Sequence, residues 1–120
     1  MKFAWTTLRV RDFERSVKFY TEVIGLKIVE RLGTDVHRVV MLGEEQGTRV
    51  EILWEPEKLP DQLGTGVNLG FFPDDLDAFK ARLDSLGVET TPIIADGPVV
   101  RFFFVNDPDG YKIQFVHLNK

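Results

Sequence analysis

The order of elements constrains this chain most, because one pattern runs its course and then starts again. "FAWTTLRV", residues 3–10, reads as a strand, and "RDFERSVKFYTEVIGL" follows as an amphipathic helix with Asp12 at its cap and Gly25 past its end. Phe13, Val17, Tyr20 and Ile24 fall on one face of that helix. "KIVERL", "HRVVML" and "RVEILW" are strand-like runs parted by the turn formers "GTD" and "GEEQG". After the polar connector "EPEKLPDQLGTG" the order restarts. It gives the strand "VNLGFF" and the helix "DDLDAFKARLDSLG", capped by Asp74 or Asp75 and stopped by Gly87. The strands "VETTPII", "VVRFFFV" and "YKIQFV" close the series, with "ADGP" and "NDPDG" as turns. The expectation is an α+β chain of two β-α-β-β-β modules, about 1–54 and 66–117, joined by a linker over 55–65. Their strands would form an open, strongly curved mixed sheet, with one helix per module on the outer face and a cleft along the inner one.

At 120 residues both modules fit one domain, and a 43 % hydrophobic share with ten Phe is enough for a real core. A net charge of −4 offers no basic footprint for nucleic acid. No apolar run approaches the ~20 residues of a membrane span, and no signal-peptide core opens the chain. A cytoplasmic location is the resulting expectation. With no Cys there are no disulfides, thiolate ligands or cysteine nucleophiles.

"TTLRVRDFERSVKFYTEVIGLKIVER", "NLGFFPDDLDAFKARLDSLGV" and "FFFVNDPDGYKIQF" together resemble the vicinal oxygen chelate superfamily, the glyoxalase, bleomycin-resistance and extradiol dioxygenase group. The resemblance spans essentially the whole chain. It implies an open barrel built from the two modules and a homodimer. In metal-binding members it implies four ligands, one near the start of each module and one on its last strand. Carried over, those positions are Trp5, Glu51, Asn68 and Gln114. An indole only donates and cannot ligate a cation. One carboxylate and two neutral amides lack the charge and the imidazoles that hold nickel, zinc or iron(II). No cofactor is therefore expected, and a divalent metal such as nickel, zinc or manganese enters only under an enzymatic alternative.

Trp5, Thr7 and Arg9 share one face of the first strand. Trp5 is read either as a stacking platform for a planar ligand or as core filling. Glu51 needs a partner if buried, with Arg9 or Arg49 as the candidates, and is the catalytic group of the alternative. The resemblance also places Arg9 where some relatives bind a substrate carboxylate. Phe102 and Phe104 share one face of their strand and Arg101 and Phe103 the other, so one pair should enter the cleft. His117 has opposite parity to Gln114 and points elsewhere, and His37 reads as a surface residue; neither is read as a ligand. Asp107, Asp109 and Gly110 read as a hairpin turn, and "DDLDAF" as a capped helix start.

The leading expectation is a metal-free binding protein that holds an aromatic or cationic small molecule, with Trp5, Thr7, Arg9, Glu51, Asn68, Phe102, Phe104 and Gln114 as ligand contacts. The alternative is a glyoxalase I-like lyase, or a related metal-dependent isomerase or dioxygenase. A regulatory module with no small-molecule role is the third reading.

Overall fold

The computed structural model describes residues 1–119. It divides into two compact units, Met1–Leu63 and Gly64 onward. Each unit carries a four-stranded mixed sheet, so the α+β class and the repeat are both present.

In the first unit the elements are β1 (Trp5–Arg9), α1 (Phe13–Lys18), β2 (Ile28–Thr34), β3 (His37–Gly43) and β4 (Arg49–Trp54), with the sheet order β1-β4-β3-β2. β1 runs parallel to β4, and the remaining pairs are antiparallel. Asp12 caps α1 by accepting a hydrogen bond from the Arg15 N–H at 3.1 Å. The expected single helix divides here: after Lys18 it continues as a π-helical turn, Phe19–Ile24. Gly25 ends it with φ 95°, a left-handed conformation that glycine takes without strain. The buried face is accordingly Phe13, Ser16 and Tyr20, while Val17 and Ile24 stay half-buried. Leu8, Val40, Leu42, Val50 and Ile52 form the apolar side of the sheet. Arg38, of the same parity, lays its guanidinium 4.2 Å from the Phe13 ring centroid and reaches Glu14 at 2.6 Å, which fixes that side as the one facing α1. Gly33, with φ 95°, lets the β2–β3 hairpin close, since a Cβ there would strike the His37 carbonyl.

A short 3₁₀ turn, Pro56–Lys58, follows β4. The second unit holds β5 (Asn68–Phe71), α2 (Leu76–Ser85), β6 (Ile94–Asp96), β7 (Val100–Asn106) and β8 (Lys112–Leu118), ordered β5-β8-β7-β6. Asp75, not Asp74, caps α2 by accepting from the Ala78 N–H at 3.0 Å. Leu76 and Leu83 of α2 are buried, and Phe79 sits 4.6 Å from the Phe115 ring centroid. Phe103 and Phe71 pack on the same ring at 5.2 and 6.2 Å, so Phe115 is the hub of this core. The strand expected over residues 88–94 is mostly absent. Only Ile94–Asp96 pair with β7, because Thr91 stands off and holds Phe104 through one side-chain and one main-chain bond instead. Among the described residues no helix is long and apolar enough to cross a membrane.

Candidate functional site

Strand parity decides which side chains share a surface. In the first unit the face turned away from α1 presents Trp5, Thr7 and Arg9 on β1, Arg49, Glu51 and Leu53 on β4, and Val39 and Met41 on β3. The register is direct: Thr7 lies opposite Glu51, and Glu51 opposite Met41. Val39, Met41 and Leu53 make an apolar cluster in the middle of this face. Trp5 is 50 % exposed, which removes the core-filling reading within this unit. With Phe3, Glu45 and Arg49 it lines a cavity of about 260 Å³.

The expected partners of Glu51 are not its partners. Its Oε1 accepts a hydrogen bond from the Thr7 hydroxyl at 2.7 Å, and the carboxylate is half-buried rather than enclosed. Arg49 instead donates to the main-chain carbonyls of Glu44 and Glu45, at 3.3 and 2.7 Å, pinning the β3–β4 loop. Arg9 turns to Glu55, whose Oε1 it meets at 2.8 Å. Glu55 Oε2 receives His37 Nδ1 at 2.7 Å, and Lys58 Nζ stands 3.7 Å away. The hydrogen bond from Arg9, and then that from His37, hold the Glu55 carboxyl below its ordinary 4.5 against a burial effect that pushes it up. Glu55 is the residue that reading the sequence missed. Its parity with Glu51 and Leu53 was the available signal.

In the second unit the face turned away from α2 presents Asn68 and Gly70 on β5, Lys112, Gln114 and Val116 on β8, and Phe102 and Phe104 on β7. Gln114 lies between Gly70 and Phe104, and the Phe102 and Phe104 rings meet edge to face at 5.5 Å. Phe103 and Arg101 belong to the helix side: Phe103 is fully buried, and Arg101 pairs with Asp77 of α2 at 3.1 Å. That guanidinium is the first cause of a lowered Asp77 pKa. His117 is in register with Arg101 on this side, as its parity required. Asp107 is a turn residue, its Oδ1 accepting from the N–H groups of Asp109 and Tyr111, both at 2.9 Å.

The two faces are built alike. Trp5 and Asn68 each open the first strand of their unit, two residues before the partner of Glu51 or Gln114. The family model described as the Glyoxalase/Bleomycin resistance protein/Dioxygenase superfamily matches residues 2–115. The chain belongs to this superfamily. A probable lactoylglutathione lyase of Vibrio parahaemolyticus is 31 % identical over 121 residues, which cover 92 % of this chain and 86 % of the relative. A glyoxalase/bleomycin resistance protein from Streptomyces sp. CB03234 matches in structure with a TM-score of 0.72 at 26 % identity, covering 95 % of this chain and 98 % of that one. The glyoxalase I of Leishmania major, described as trypanothione-dependent, gives a TM-score of 0.79 at 25 % identity, covering 98 % and 86 %.

The superfamily's divalent metal can be tested against the residues present. The first unit offers an indole, which has no lone pair for a cation, and a single carboxylate, Glu51, with one oxygen accepting from Thr7. The second offers two neutral amides, Asn68 and Gln114. Among the described residues no group of three or more His, Asp or Glu side chains is placed to hold a metal. This donor set does not fit nickel or zinc.

Proposed function

We propose that this protein is a metal-free small-molecule-binding member of the superfamily, holding an aromatic cation against the first-unit face that carries Trp5 and Glu51. One observation carries the reading: where a metal ligand would stand there is a half-exposed indole, and beside it a carboxylate oriented by Thr7. The Thr7 bond leaves Glu51 Oε2 without a protein partner among the described residues, so it is available to a cation. The indole adds its ring face, and a cation over a Trp ring gains about 0.5–2 kcal/mol according to how far it is desolvated. Arg9 is engaged by Glu55 and sets the polar end of the face rather than meeting the ligand head-on. Phe102, Phe104, Asn68 and Gln114 form the corresponding aromatic and amide surface of the second unit. The reading includes a homodimer in the cytoplasm.

A fluorescence titration with a flat aromatic cation such as N-methylquinolinium tests it, in a Trp54→Phe background so that Trp5 alone reports. Saturable quenching is expected, with Glu51→Gln weakening it about ten-fold through loss of the charged acceptor. Quenching that does not saturate, or that Glu51→Gln leaves untouched, would contradict the proposal.

A second reading has its own support: relatives at 31 % and 30 % identity are named probable lactoylglutathione lyase and lactoylglutathione lyase, and Glu51 keeps the carboxylate of one ligand position. Lactoylglutathione lyase activity that rises on adding nickel, zinc or manganese and disappears in Glu51→Gln would favour it.

A further inference from the structure

The repeat breaks at β6, and the break leaves a cavity. In the first unit β2 runs Ile28–Thr34 along the whole of β3, whereas β6 covers only Ile94–Asp96 against the seven residues of β7. Residues 88–93 lie off the edge of β7, tied to it by Thr91, whose hydroxyl accepts from the Phe104 N–H at 2.8 Å and whose own N–H donates to the Phe104 carbonyl at 3.0 Å. Between the two segments is a cavity of about 310 Å³, lined among others by Val88, Glu89, Phe104, Val105, Asn106 and Lys112, all of the second unit. That volume is in the range of small-ligand sites.

We propose that this cavity binds an α-amino acid with an apolar side chain, in its zwitterionic form. Both charges needed for such a ligand line the cavity. Glu89 and Lys112 nevertheless form no ion pair, with each other or elsewhere, among the described residues. A ligand ammonium satisfies Glu89 and a ligand carboxylate satisfies Lys112, so one molecule answers both. The Lys112 Nζ stands 5.7 Å from the Phe104 ring centroid, which brings the carboxylate end beside an aromatic surface. Phe104 and Val88 provide the apolar floor for the side chain. The hydroxyls of Thr90 and Thr91 are already engaged, with Asp84 at 2.6 Å and with Phe104, so they leave the selection to the charges. The strand edge adds a further contact. Phe104 turns its main-chain N–H and C=O toward residues 88–93, and alternation turns those of Asn106 to the same side, where β6 offers them no partner. This inference does not rest on the aromatic-cation reading and uses no residue of the first unit.

Titration of the ¹⁵N-labelled full chain with L-phenylalanine tests it, with phenethylamine and 3-phenylpropionate as probes that each lack one charge. L-Phenylalanine is expected to shift the amides of residues 88–91 and 104–106 with a Kd of about 1 mM or tighter. Each one-charge probe should bind about ten-fold more weakly, and so should L-phenylalanine to Glu89→Gln and to Lys112→Met. Both residues are exposed at the rim, and unchanged α2 amide shifts in the variants report an intact fold. No shifts at these amides would overturn the proposal. Equal binding of all three probes would overturn it too, as would binding indifferent to both substitutions.

Discussion

At the scale of single residues, charge placement on the first-unit face follows from two short contacts, Thr7 to Glu51 and Arg9 to Glu55. Glu55 carries a pH prediction. Its carboxyl is held below 4.5 in the folded state, so the associated stability is fully present above that value and is lost as pH falls through the lower folded pKa. Asp77 and Asp84 are lowered as well, by Arg101 and by Thr90 with Lys80, and act in the same direction. Denaturant midpoints measured below pH 5 should therefore drop on acidification in the parent protein and drop less steeply in Glu55→Gln; equal slopes would contradict the assignment. The sequence shows the parity of Trp5, Thr7, Glu51, Phe102, Phe104 and His117 because β1, β4, β7 and β8 pair in unbroken register and alternate along their length. It does not show which acid Arg9 selects. Glu51 and Glu55 share a face four residues apart, and only the turn carrying Lys58 with the start of β3 carrying His37 brings a further ammonium and an imidazole to Glu55.

At the scale of elements, the helices and their caps are legible because they are local: Asp12, Asp75, Gly25 and Gly87 stand where capping chemistry needs them. The π-helical turn after Lys18 and the loss of strand over residues 88–93 are not local. The second is decided by a hydrogen bond from Phe104, thirteen residues beyond Thr91. Thr91→Val should leave that N–H unpaired and cost about 1–3 kcal/mol in urea unfolding, while Thr91→Ser should restore most of it. The aromatic packing of α2 on its sheet is centred on Phe115, 1 % exposed and in contact with the rings of Phe71, Phe79 and Phe103. Phe115→Ala is expected to lower stability by about 3–5 kcal/mol, against about 1 kcal/mol for removing the α2 cap in Asp75→Ala. A Phe115→Ala cost no larger than the cap's would contradict this packing.

At the scale of the whole molecule, the superfamily was legible from three stretches of sequence, and the repeat from the element order alone. The ligand was not, because a binding surface is defined by shape and charge that many sequences can supply. The proposed homodimer predicts about twice the 13.8 kDa chain mass in light scattering behind size exclusion; a monomer at micromolar concentration would remove that part of the account. The proposed function turns on one claim, that the family's metal-ligand positions carry an indole, amides and a hydroxyl-bonded carboxylate in place of a metal-binding set. The most direct measurement is calorimetric titration of chelator-stripped protein with nickel, zinc and manganese, beside the triple variant Trp5→His, Asn68→His, Gln114→Glu. The account predicts no stoichiometric binding to the parent at micromolar metal and stoichiometric binding to the variant, which gains two imidazoles and a second carboxylate, the donors nickel and zinc take. Stoichiometric micromolar binding to the parent, lost in Glu51→Gln, would contradict it and put the lyase reading first.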